Sequence, residues 1–298
     1  MANPTAFQLD PLDASFGAVV TELKLSELGA DAFSELYAAW LEYALLIFPT
    51  QHLTKEEQTR FAQRFGELEL DLFPISNVRA DGSVIGDDDG DSLIKLIKGN
   101  QGWHCDSTYT STQSKGAVFT AHVVPPTGGE TGWADLRAGY GALEDATKAR
   151  IADLSAYHSL AHAQAKIGYE PQSDNLGDHY EKDSAEFLTK ALNESQPPLR
   201  PLVKVHPETS RTCLNVGRHA YGIPGLDPDE SERLIQELVD TTCQSPRVHH
   251  HAWQPGDAVI WDNRCLMHRL LPWDMNEPRV MYHARIAGSP ETEFAAHA

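Results

Sequence analysis

The sequence is short of cations and has no long apolar run. Lysine and arginine number 24 against 43 aspartate and glutamate, a formal charge of -19. Such a field repels nucleic-acid backbones and anionic membrane surfaces, and any anionic ligand must be drawn in by local cations. No stretch approaches the roughly 18 consecutive apolar residues of a membrane-spanning helix. Met1 to Pro11 lacks a basic region followed by an apolar run, so a soluble, cytoplasmic protein is expected. Cysteine is sparse as well. Cys105, Cys213, Cys243 and Cys265 show no CxxC or CxC spacing, which argues against a zinc ribbon or a disulfide framework. Internal repeats and a clear domain linker are also missing.

What is present is a chain of 298 residues, 41% apolar, long enough to bury a large core. Phe7 to Leu23 alternates loosely and reads as opening strands. Asp31 to Leu46 carries Phe33, Leu36, Trp40 and Ala44 at helical spacing, although Ala44 to Phe48, ahead of Pro49, also fits a buried strand. Thr54 to Glu57 has the form of a capping box and opens a second helix with Phe61 and Phe65 inward. Strand signals dominate from Leu68: Leu93 to Lys98, Ala117 to Val124, Arg200 to Val205, Thr212 to Val216, Val248 to Trp253, Asp257 to Trp261 and Arg279 to Ile286. Leu136 to Leu154 and Asp227 to Asp240 read as helices. The acidic run Asp87 to Asp91 lacks the ligand spacing of a calcium loop and reads as solvated. The fold expected is mainly β with flanking helices, a double-stranded β-helix (jelly roll). It forms a single domain over residues 1–298, with a lid or insert at about 161–201, where periodic apolar positions are few.

Chemistry concentrates in Gly102 to Tyr109. In an extended strand His104 and Asp106 point to one face, so an imidazole and a carboxylate can converge on one ion. With a second imidazole this set suits Fe(II) with open coordination positions. His268 follows a strand, and Arg279, eleven residues on, begins another, a spacing that lets a turn bring the two together. The planar guanidinium of Arg279 suits a carboxylate.

These residues resemble the taurine dioxygenase family of Fe(II)/2-oxoglutarate-dependent dioxygenases. The motifs are Trp-His-x-Asp at 103–106, Gly-Gly-x-Thr at 128–131, Trp-Asp-Asn-Arg at 261–264, His268 and Arg279. Within the family the chain looks closest to aryloxyalkanoate dioxygenases of the (S)-dichlorprop type, through Ala44 to Pro49, Leu202 to Thr209, Gly217 to Ala220 and Pro278 to Met281. The resemblance implies that His104, Asp106 and His268 bind Fe(II), with 2-oxoglutarate and O2 as cosubstrates. It also implies that Arg279 and Thr131 hold the far carboxylate of 2-oxoglutarate, that Asn100 and Ser107 border the pocket, and that Trp261 walls the iron. The reaction implied is decarboxylation of 2-oxoglutarate to succinate, coupled to hydroxylation of a small acidic substrate. For an aryloxyalkanoate the product collapses to a phenol and a keto acid.

Family members acting on sulfonates often carry arginine fifteen residues after the distal histidine, where this chain has His283. That moves the expected substrate toward a carboxylate. Arg285 shares strand parity with Arg279 about 20 Å along the chain, so it is either the anchor of the substrate's acid group or a salt-bridge partner. Lys95 and Lys98 are either pocket cations or strand-edge charges. His249 to His251 reads as packing rather than a metal tract, and Arg218 to Gly222 as either a pocket border or a turn. The competing functions are a sulfonate or alkyl-sulfate dioxygenase and a non-catalytic jelly-roll binding protein. The expected partners are a small acidic molecule and further copies of the chain in a homo-oligomer, with no nucleic acid and no membrane.

Overall fold

A strand buried on both faces serves two cores at once, and that is how the central strands of this protein stack its layers. The computed structural model describes residues 6–79, 81–87, 91–168 and 180–295. A seven-stranded sheet runs in the order Gln8–Pro11, Ala18–Thr21, Leu45–Phe48, Ala258–Asp262, Gly116–Val123, Val280–Ile286 and Phe73–Ser76. Leu45, Ile47, Phe119, Val259, Trp261 and Met281 face one core. Their neighbours Leu46, Phe48, Val118, Ile260 and Ala284 face the other, as period-two alternation requires.

The second core lies beneath two helices, Ala30–Tyr43 and Lys55–Gln63. Their Trp40 and Phe61 both pack edge-on against Phe65. The capping box is present: the Glu57 amide donates to Thr54 Oγ1 at 3.2 Å, and the Thr54 amide donates to Glu57 Oε2 at 2.9 Å. Helix Ala30–Tyr43 ends at Ala44, which takes a left-handed φ of 63°, and Leu45–Phe48 is a strand. The buried-strand alternative for that run therefore holds.

The first core is closed by a second sheet, Val248–His251, Thr131–Asp135 and Leu266–Leu270. Across the gap Trp253 meets Phe119 at 5.5 Å and Trp133 meets Trp261 at 5.9 Å between ring centroids. Two facing sheets, antiparallel except where Ala18–Thr21 runs parallel to Leu45–Phe48, make the jelly roll. Each ring fills much of the inter-sheet space, and a truncation such as Trp133→Ala would cost about 3–5 kcal/mol.

Three expectations need correction. Leu93 to Lys98 is not a strand but part of helix Ser92–Gly99, whose N-cap Asp91 accepts from the Leu93 amide at 2.9 Å. Leu93, Ile94, Leu96 and Ile97 form one buried helical stripe, a pattern that a short apolar run disguises. Leu136 to Leu154 is two helices, Leu136–Gly141 and Asp145–Ile151. The stretch from 161 to 201 is not largely structureless, since it carries most of helix Leu160–Ala165, all of Lys182–Leu192 and strand Leu199–Pro201. Residues 169–179 of the expected lid, and Asp88 to Gly90 of the acidic run, lie outside the described residues. Among the described residues no helix is long and apolar enough to cross a membrane.

Candidate active site

The open end of the inter-sheet space is where the charged residues gather. His104 and His268 exchange backbone hydrogen bonds, the His104 amide to the His268 carbonyl at 2.9 Å and the His268 amide to the His104 carbonyl at 2.7 Å. This pairing is a single bridge rather than the expected strand. Past Cys105 the chain turns, and Ser107 takes a left-handed φ of 55°. Convergence follows all the same. Ligand atoms of His104, Asp106 and His268 all lie within 4.8 Å of one another, and all three residues are buried. Cys105 points away and donates its thiol to the Leu266 carbonyl at 3.3 Å.

The details suit a metal centre. His104 Nδ1 lies 2.7 Å from the Gly102 carbonyl, which holds the proton on that nitrogen and leaves Nε2 with a free lone pair. Burial keeps His104 and His268 neutral by lowering their pKa values. Burial opposes the charge on Asp106, but the Arg285 guanidinium beside it holds the carboxyl well below the usual range. Asp106 Oδ2 has no hydrogen-bond partner. The Asp106 backbone is clamped by Asn263, whose Oδ1 accepts from the Asp106 amide at 2.7 Å and whose Nδ2 donates to the Asp106 carbonyl at 2.9 Å. Two neutral imidazoles and one ionised, partly unsatisfied carboxylate are a donor set that fits Fe(II).

A second cluster, His206, Asp262 and Cys265, does not fit a metal. Asp262 accepts from Arg264 Nε at 2.8 Å and Nη2 at 2.7 Å, and lies 3.0 Å from His206 Nε2. His206 Nδ1 accepts from the Glu208 and Thr209 amides. Burial also raises the Cys265 thiol well above its usual value. This network is satisfied internally.

Arg279 stands at the other side of the cavity, 1% exposed. Its Nε donates to the Gly129 carbonyl at 3.2 Å, while Nη1 and Nη2 are buried with no partner. Burial alone pulls its pKa down to about 9, with no carboxylate among the described residues to offset it. The Gly-Gly-x-Thr motif makes room for it. Gly129 has φ +71°, and a Cβ there would lie 3.2 Å from Arg279 Nε. Thr131 Oγ1 accepts from Trp253 Nε1 at 3.0 Å, so its own proton is available to a ligand.

One cavity is lined by Asn100, His104, Asp106, Thr131, Trp261, His268, Arg279 and Arg285. Leu70, Phe73, Leu96, Leu160, Phe187 and Leu188 give it an apolar wall, with Phe187 and Leu188 coming from helix Lys182–Leu192. Trp261 lies 4.8 Å from the His268 ring between centroids.

Two residues expected to contact substrate are not among the lining residues. Lys95 falls outside the buried stripe of helix Ser92–Gly99. Ser107 is fully buried, and its hydroxyl donates to Glu69 Oε2 at 2.7 Å. Lys98 pairs with Asp87 at 2.6 Å. Of the open readings, His219 lines the cavity, whereas Arg218 lies outside the lining and donates to Gln164 at 2.6 Å. His251 lies 3.0 Å from Asp257, and His250 stacks on Trp103, so the histidine tract is packing. The largely buried Glu69 was not expected at this end of the molecule. Glu69 has no local sequence signal, because its partner Arg285 lies 216 residues away.

An Fe(II)-type triad facing an unpaired arginine across a jelly roll defines a class of mononuclear iron enzyme, and comparison with known proteins agrees. The sequence matches the taurine catabolism dioxygenase TauD, TfdA family over residues 8–285, and the chain belongs to that family. It is 54% identical to an (S)-phenoxypropionate/alpha-ketoglutarate-dioxygenase of Sphingobium herbicidovorans, over 97% of this chain and 98% of the relative. A protein of the same name from Delftia acidovorans is 49% identical, covering 98% and 99%. The crystal structure of AAD-2 in complex with Mn(II) and N-oxalylglycine superposes with a TM-score of 0.85 at 33% identity, over 97% of this chain and 99% of that one.

Proposed function

We propose that this protein hydroxylates a small aryloxyalkanoate acid at the carbon next to the ether oxygen, so that the product collapses to a phenol and a keto acid. It is a dioxygenase that uses Fe(II), with 2-oxoglutarate and O2 as cosubstrates. When bound, Fe(II) supplies the oxidative chemistry: 2-oxoglutarate becomes succinate and carbon dioxide, one oxygen atom of O2 enters succinate and the other enters a substrate C–H bond. His104, Asp106 and His268 would hold the metal. Arg279 would pair with the far carboxylate of 2-oxoglutarate and Thr131 would donate to it, with Asn100 and Trp261 bordering the same space.

The observation that carries this reading is the buried, partnerless end of the Arg279 guanidinium, facing the same cavity as the triad. A buried cation without a counter-ion is costly, and an anionic cosubstrate removes that cost. The choice of an aryl substrate rests on the apolar wall of Phe73, Leu96, Leu160, Phe187 and Leu188, together with the named activity of the relatives. Helix Lys182–Leu192 would serve as the lid that keeps bulk water from the reacting carbon. A cytoplasmic location and a homo-oligomeric state belong to the same proposal. The free cysteines support the first, and light scattering on the purified protein would test the second.

The test is a substrate panel with Fe(II), 2-oxoglutarate and air, containing (R)- and (S)-2-phenoxypropionate, an alkylsulfonate and an alkyl sulfate. Phenol and pyruvate with one succinate per turnover are expected, fastest with the (S)-acid. Sulfite or sulfate release without phenol would overturn the substrate assignment.

A further inference from the structure

We propose that Arg285, steadied by Glu69 and Ser107, is a positioning residue for the Asp106 carboxylate and not the anchor of the substrate's acid group. The inference rests on the metal-site reading of Asp106, not on the identity of the substrate.

The geometry is specific. Arg285 Nη2 lies 3.4 Å from Asp106 Oδ1. Nη1 donates to Ser107 Oγ at 3.2 Å and to Glu69 Oε2 at 3.5 Å. Ser107 closes the triangle by donating to Glu69 Oε2 at 2.7 Å. The backbones are locked as well, because the Glu69 amide donates to the Arg285 carbonyl at 2.9 Å. Phe73 and Phe187 flank the guanidinium, with ring centroids 5.4 and 5.7 Å from its carbon. Only Nε lacks a partner.

Each feature has a consequence for Asp106. With Oδ1 engaged by Arg285, the carboxylate offers Oδ2, the oxygen without a hydrogen-bond partner, to an ion. A carboxylate free at both oxygens could turn both toward the metal and take up a position that cosubstrate or oxygen needs. Glu69 balances a guanidinium that would otherwise compete with the metal for the charge of Asp106. The left-handed φ of 55° at Ser107, costly for a residue with a side chain, sets its hydroxyl between Glu69 and Arg285 directly after the ligand. A cation with this many fixed partners has little left for a substrate acid.

Two variants test this in the full-length protein: Arg285→Lys, and Arg285→Met combined with Glu69→Gln, which keeps the local charge balanced. Anaerobic titration with Mn(II) alone should show affinity falling by about 10- to 100-fold in both, the usual effect of removing a partner of a metal ligand. The ratio of kcat/KM for an acidic substrate to that for its amide should not change. Circular dichroism melts identify any variant that fails to fold, in which case the other decides. Unchanged Mn(II) affinity in a folded variant overturns the proposal, and a selective loss of the acid over the amide would return Arg285 to the substrate. If no panel substrate reacts, the metal titration still gives the answer.

Discussion

Arg279 and Arg285 lie six positions apart, face the same cavity and are 1% and 6% exposed, yet their surroundings are opposite. Two of the three guanidinium nitrogens of Arg279 have no partner. Arg285 is held by Asp106, Glu69 and Ser107. One arginine has no anionic partner among the described residues, while the other already has two. Position and parity are alike for both, so the difference in role comes from what distant chain segments bring to each. Gly129 makes room beside Arg279, whereas Glu69 fills the space beside Arg285.

The largest effects should come from the three proposed metal ligands. His104→Ala, Asp106→Ala or His268→Ala is expected to abolish turnover while the circular dichroism spectrum stays folded. Near-normal activity with iron still bound in any of the three would remove the triad from the account.

Stability separates the arginines next. Arg285→Met leaves Glu69 and Asp106 buried without their cation and should destabilise the metal-free protein by about 3–5 kcal/mol in urea melts. Arg279→Leu removes a buried charge that has no partner, so the metal-free protein should keep its stability or gain some. Equal losses in the two variants would erase the contrast. At the small end, Lys95→Ala changes a helix position outside both the buried stripe and the cavity lining, and it should shift stability by no more than about 0.5 kcal/mol with unchanged kinetics.

The sequence made half of this contrast visible. The triad, the paired glycines and Arg279 could be found because each lies in a short motif, and period-two alternation placed both arginines on one face. The helical character of Leu93 to Lys98 was hidden because a short apolar run with interleaved lysines fits a strand as well as a helix. Its cap, Asp91, lies within a run that also reads as a loop. Glu69 and the Asn263 clamp were hidden for another reason: their partners lie 216 and 157 residues away, and no local pattern encodes such contacts. Whether a buried cation is paired or bare is a tertiary property.

That property can be measured directly by titrating the anaerobic Fe(II) protein and its Arg279→Leu variant with 2-oxoglutarate, following the metal-to-ligand charge-transfer band. Losing one partner of a desolvated charge pair costs about 2–5 kcal/mol, so affinity should fall by about 30-fold or more while the band, once saturated, keeps its position. An unchanged affinity for 2-oxoglutarate in the variant would contradict the claim that the bare guanidinium of Arg279 is the cosubstrate's anchor.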